Sequence, residues 1–249
     1  MTEQSKLSND YEKYFIVNDA HVGEYEAMYR NCRDPWRIEE LGFRLDMKAA
    51  LLLLDYCHGP IKRVLDAGAG NGLFTERLVA RIWREYPQSL VTVSDISTTA
   101  LTLAAERLSG PRSHSRPEPL SGERWPEPAP PPRGSRLDYV AFDLRWANSD
   151  LCPWPANHFD LIVLAQVIWG LLENLSQCLE GLARLTRPGG YLLLTQHFLQ
   201  PGTQKYGLGL VETPDDLSLF TRQAGYNLLE SVEINRKSNY HWASLWQWN

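Results

Sequence analysis

The hydrophobic pattern changes period along this chain, and each change marks an element. Between residues 22 and 56 apolar residues recur at three- and four-residue steps (Leu41, Leu45, Ala49, Leu52), which places them on one face of a helix. Pro35 breaks that segment into two helices and Gly59-Pro60 ends the second. Short apolar runs then take over: RVLDAG (63–68), LVTVSDI (90–96), DYVAFDL (138–144), FDLIVLAQV (159–167) and YLLLTQH (191–197) predict buried strands. GLFTERLVARIWREY (72–86), TTALTLAAERL (98–108) and LLENLSQCLEGLARLT (171–186) carry amphipathic helical spacing between them, and RPGG (187–190) predicts a turn. TPDDLSLFTRQAG (213–225) predicts a helix with a threonine cap and a C-terminal glycine, and YNLLESVEI and HWASLWQW predict a last hairpin on the sheet edge. Strands alternating with helices imply an α/β architecture, a mainly parallel sheet with helices on both faces.

One segment breaks the rhythm. Residues 110–136 hold 8 of the 16 prolines, a density at which no packed element survives, so a flexible surface insertion is expected there. The chain then divides into an arm and helical cover (1–56) and a sheet domain (57–249).

Composition narrows the function classes. The 249 residues are 43% hydrophobic with a net charge of −5, which disfavours nucleic acid as a partner because phosphate binding leaves a basic footprint. No apolar run is long enough to span a bilayer and the first residues form no signal region, so no membrane partner and a cytoplasmic location are expected. Cys32, Cys57, Cys152 and Cys178 are far apart, with no metal-ligand spacing, so no metal is expected.

Candidate chemistry starts at VLDAGAGNG (64–72). Glycines at 68, 70 and 72 pack nothing, so something must approach that backbone, at the carboxyl end of a strand where open α/β sheets bind ligands. A dinucleotide loop reserves for glycine the position that Leu73 fills here; the spacing is D-x-G-x-G-x-G from Asp66. Asp95 and Asp143 stand at the ends of the next two strands.

These residues resemble the class I S-adenosylmethionine-dependent methyltransferases over about residues 60–235. The resemblance implies a Rossmann-like seven-stranded sheet with an N-terminal helical lid, and S-adenosylmethionine as cofactor. It assigns Asp66, Ala67, Gly68, Gly70 and Gly72 to the loop against the cofactor's amino acid and ribose parts, with Asp66 on the amino end. Asp95 would bind the ribose hydroxyls, Ile96 cover an adenine face, and Asp143 and the Leu144 backbone hold the adenine edge. A narrower resemblance, the Asp-Pro-Trp stretch in YRNCRDPWRIEEL, is to NodS-type small-molecule N-methyltransferases and implies a small amine or natural-product acceptor.

Methyl transfer needs the acceptor, methyl carbon and sulfur in line and water excluded; an amine with a free lone pair needs no strong base. The candidates for that work are Gln166 (also counted for the cofactor), Trp169 and His197 after the fourth and fifth strands, and Tyr29 and Trp36 in the N-terminal cover. Tyr206 lies in a glycine-flanked loop; the other histidines gain no role from position. Two alternatives stay open on the same fold: intramolecular cyclisation of the cofactor to azetidine-2-carboxylate and methylthioadenosine, and a non-catalytic binding module. Oligomeric state is not legible.

Overall fold

The computed structural model describes residues 12–18, 20–37, 45–109, 136–199, 204, 206–236 and 239–249. A helical turn α1 (Glu12–Phe15), a two-residue hairpin of β1 (Ile16–Val17) and β2 (Ala20–His21), and helix α2 (Tyr25–Asn31) come first, then α3 (Leu45–Leu53). The main succession is β3 (Arg63–Ala67), α4 (Leu73–Glu85), β4 (Leu90–Asp95), α5 (Thr98–Ser109), β5 (Leu137–Ala141), β6 (Phe159–Ala165), α6 (Leu175–Leu185), β7 (Thr186–Leu199), α7 (Pro214–Gln223), β8 (Tyr226–Arg236) and β9 (Asn239–Trp248). Leu41 and, apart from Arg136, the proline-rich segment lie outside the described residues.

The sheet order is β5-β4-β3-β6-β7-β9-β8, parallel from β5 to β7, with β9 antiparallel to both its neighbours. The fold is the expected Rossmann-like one. From β3 the chain moves first to one side of the sheet and then to the other, so a crevice opens at the carboxyl ends of β3 and β6.

Strand alternation divides the core in two. Leu65, Ile162, Leu164, Leu192, Leu194, Trp242 and Trp246 face α6 and α7, whereas Val64, Leu161, Val163, Leu193 and Leu245 face α3 and α4. On α4 the buried stripe is Phe74, Leu78, Val79, Ile82 and Trp83. At about 1.5–3 kcal/mol per fully buried side chain, an upper bound, that stripe outweighs the helix's weak intrinsic stability. Helix α7 starts as its sequence predicts: Thr213 accepts from the Asp216 N–H at 3.2 Å, Asp216 accepts from the Thr213 N–H at 2.9 Å, and Pro214 fills the first turn.

Three local expectations change. RPGG is no separate turn, because β7 already begins at Thr186; the register shifts between Phe159 and Leu161 and the four residues form a bulged stretch of strand. Asp160, beside it, is structural: it accepts the N–H groups of Lys62 and Arg63 at 2.9 and 2.8 Å and the Arg187 guanidinium at 2.6 Å. The strand written DYVAFDL stops at Ala141, because the Asp143 carboxylate caps a single 3-10 turn at Leu144–Trp146. The helix expected from 171 opens with another such turn, Leu172–Asn174.

Gly72 shows why the loop needs glycine on the side away from the crevice. Its φ is +78°, and a Cβ there would lie 2.9 Å from both Cα and Cβ of Ala104 on α5. The glycine lets α4 and α5 approach. Gly72→Ala is therefore expected to lose about 2–4 kcal/mol of unfolding free energy from left-handed strain plus overpacking, measurable by urea denaturation.

Candidate functional site

The crevice is a cavity of about 830 Å³. Its floor is the glycine loop, tied to the neighbouring strand by the Gly68 and Ala69 N–H groups donating to Ser94 O at 2.8 and 2.9 Å. Asp95 fixes the loop from the side: its two carboxylate oxygens accept the Gly70 and Ser97 N–H groups, each at 2.9 Å. Burial raises its pKa even so, those backbone donors opposing the rise. The Ile96 N–H donates to Asp95 as well, so of a carboxylate's roughly four lone-pair directions about one remains for a ligand in the cavity.

Asp66 lies beneath the loop, 1% exposed, with Thr75 Oγ1 donating to it at 2.7 Å. Burial pushes its carboxyl up to about 7, against the Thr75 bond and with a smaller push from Asp95. This is a cavity-facing acid at the edge of ionisation, where a cation can decide its state.

The N-terminal segment supplies another wall. Tyr29 places its hydroxyl over Gly70, where a Cβ would fall 2.6 Å from the oxygen; φ at Gly70 is +57°, so the close approach and the backbone conformation both call for glycine. Trp36 Nε1 donates to Tyr29 Oη at 3.3 Å, and Trp36 packs edge-on against Phe15 with ring centres 5.4 Å apart. Burial raises the pKa of both Tyr25 and Tyr29, so both phenols stay protonated. His21 Nε2 lies 3.0 Å from Tyr25 Oη, and burial lowers the imidazole pKa, leaving it neutral at pH 7.

Gln166, Trp169 and His197 meet on the opposite wall. Trp169 and His197 pack edge-on with centres 6.4 Å apart. Gln166 holds a left-handed backbone, φ +64°, fixed by its N–H to Thr195 O at 2.9 Å. Its side-chain nitrogen donates to Thr195 Oγ1 at 3.2 Å and to the fully buried Asp46, and its oxygen accepts the His197 N–H at 3.1 Å. The amide is thereby committed to holding the wall.

The loop between β5 and β6 completes the cavity. Leu144 of that loop lines it, as does Ile96, 43% exposed, just after β4. Asp143 lines it too, with its carboxylate gripped by Arg145, Nε at 2.9 and 3.0 Å and Nη2 at 2.6 Å.

The sequence-predicted residues thus converge on one cavity with two exceptions: Ala67, fully buried in β3, and Gly72 do not line it. His21, Tyr25 and Arg145 line it as well, though the sequence pattern assigns them no role. His21 and Tyr25 are four apart, but Tyr25 begins its helix, so helical spacing gave no signal for the pair. Asp46 reaches Gln166 across 120 positions, for which sequence has no local signature.

A family model described as a methyltransferase domain matches residues 65–194. Nodulation protein S of Rhizobium tropici is 26% identical over 162 residues, 64% of this chain and 53% of that protein. The ubiquinone/menaquinone biosynthesis C-methyltransferase UbiE of Shewanella pealeana is 28% identical over 186 residues, 74% of this chain and 54% of that protein. The alignments span about half the length of these two relatives. Among solved structures, the N-methyltransferase NodS of Bradyrhizobium japonicum WM9, crystallised with S-adenosyl-L-homocysteine, superposes with a TM-score of 0.60 at 19% identity, covering 90% of this chain and 97% of that one, a likeness of fold.

Proposed function

Because the chain belongs to the methyltransferase-domain family, whose model spans residues 65–194, we propose that it transfers a methyl group from S-adenosylmethionine to an amine of a small molecule. One observation carries the reading: Asp66 and Asp95, at the ends of adjacent parallel strands, flank the Gly68–Gly70 main chain, on which Val167 and Tyr29 close in, inside a single cavity. The residues present fit the cofactor. Asp95 keeps about one lone-pair direction for a ribose hydroxyl, Asp66 is a buried acid suited to an ammonium, and Ile96 offers an apolar face for adenine.

When bound, the cofactor supplies a methyl group already activated on sulfur. The chain's own work is to hold, align and keep out water. Gly70 and Asp95 fix the sugar end, and Asp66 the amino end. Tyr29 and Trp36 close the loop side, while Gln166 holds the facing wall on which Trp169 and His197 bound the space for the acceptor. Residues 12–18 and 20–37 act as the lid.

The charge of the cavity supports an amine over an acidic acceptor. With Asp66 given to the cofactor's ammonium and Asp143 paired with Arg145, the one guanidinium among the described lining residues, the acids left in the lining are Asp95 and Glu173. A neutral amine brings its own lone pair, so no strong base is required. NodS-type relatives point the same way.

The test begins with calorimetry: S-adenosylhomocysteine is expected to bind saturably, and its failure to bind folded protein sinks the reading. Incubation with S-adenosylmethionine and a panel of small amines is then followed by chromatography. Adenosylhomocysteine formed only with an amine present is the expected result. Methylthioadenosine formed from cofactor alone would establish intramolecular chemistry in its place. No helix among the described residues is long and apolar enough to cross a membrane.

A further inference from the structure

Helix α2 lines the cavity through Tyr25 and Tyr29, and a third residue of the same helix, Glu26, reaches away from the cavity to another helix. Glu26 Oε1 accepts from Thr99 Oγ1 at 2.6 Å; Oε2 accepts from Ser97 Oγ at 2.7 Å, from the Thr99 N–H at 3.2 Å and from Thr98 Oγ1 at 3.4 Å. These donors form the first turn of α5, so a carboxylate from α2 caps it from outside, where the helix's free N–H groups and positive end favour an anion. Hydrogen bonds from Thr99 and Ser97 hold the Glu26 carboxyl down to about 2, so the contact stays charged at any working pH.

The same turn holds the cavity's central carboxylate. Ser97 gives its hydroxyl to Glu26 and its N–H to Asp95 Oδ1. Three residues beyond Glu26, and so on a neighbouring part of the helix surface, Tyr29 sits over Gly70. Met28 and Tyr29 pack on Ala100 of α5, a small apolar contact by itself. One short helix is therefore hydrogen-bonded to the first turn of α5, packs lightly on Ala100 and rests on the glycine loop, and just past its end Arg33 adds an exposed ion pair to Glu106 of α5 at 3.1 Å.

We propose that Glu26 is a positioning residue for the cofactor: by pinning α2 to the first turn of α5 it holds Tyr29 against the loop and Asp95 in its cavity-facing pose, and the bound cofactor leaves when that contact opens. The proposal rests on the cofactor reading above. Nothing in the sequence points to it, since Glu26 and Thr99 are 73 positions apart.

The probe is S-adenosylhomocysteine, with dissociation followed by stopped-flow tryptophan fluorescence in the full chain. Glu26→Ala is expected to speed dissociation at least tenfold. Glu26→Gln, whose amide oxygen can take the place of Oε2 as acceptor of the Ser97 hydroxyl and the Thr99 N–H while its NH2 donates to Thr99 Oγ1, recovers most of the wild-type rate. Arg30→Ala removes only the outward ion pair to Glu26, at 2.9 Å, and changes the rate less than twofold. Should Glu26→Ala not fold, Thr99→Val removes the shortest of these bonds from the other side and is expected to speed dissociation about threefold or more. Dissociation from Glu26→Ala, or failing that from Thr99→Val, within twofold of wild type overturns the proposal, as does an Arg30→Ala effect as large as that of Glu26→Ala. Wild-type protein that binds no S-adenosylhomocysteine sinks the cofactor reading and this one with it, a result distinct from equal rates in a protein that does bind.

Discussion

Asp66→Asn is expected to make the ligand-free protein more stable at pH 8 while weakening its hold on S-adenosylmethionine at least tenfold. Both effects come from the same burial. The carboxyl is 1% exposed and sits at about 7, which corresponds to roughly 4 kcal/mol of penalty on its ionised form relative to an unfolded carboxylate. A folded-state pKa above the unfolded one means that the native state binds more protons between about pH 4 and 7. Wild-type stability therefore falls as pH rises through that window, and the loss is complete above it. Asparagine keeps an oxygen for Thr75 and carries no charge, so about half of the penalty should return, a rise in melting temperature of about 5 °C at pH 8. Asp95, also pushed up by burial, leaves some pH slope in the variant. Binding moves the other way, because an ammonium favours the ionised acid: wild-type affinity should tighten through pH 7 and the variant's should not. A variant less stable than wild type at pH 8, or one binding equally well, would rule out this account of Asp66. Stability given up for a site is the usual cost of a buried functional charge.

The second large effect is on Asp95. Asp95→Ala removes both the proposed ribose contact and the acceptor that orients the Gly70 and Ser97 N–H groups. Unsatisfied polar groups of this kind cost about 1–3 kcal/mol, so affinity for S-adenosylhomocysteine should fall about 5- to 150-fold by calorimetry. Asp95→Asn retains one acceptor and should fall between the two. If alanine leaves affinity unchanged, the ribose does not sit at the end of β4.

Some of this was written locally in the chain. The run from Val64 to Gly72 announces a strand, an acid and a backbone that must stay bare, because a strand's burial period and a left-handed turn each restrict residue type within a few positions. The threonine cap at 213 and the amphipathic stripe of α4 are equally local. So is the alternation that puts Asp66 and Asp95 at the ends of parallel strands, since right-handed crossovers leave few other arrangements.

What sequence left open are pairings across long separations: Glu26 on Thr99, Gln166 on Asp46, Arg145 turned back on Asp143. Hydrogen bonds of this kind have no period and no fixed spacing. Gly72 makes the same point from within a motif. The chain fixed that a glycine belongs there, but only the approach of Ala104 decided that it serves two helices and not the ligand. Local residue type determined which backbone shapes were permitted, and the packing of distant elements determined which side chains share the cavity.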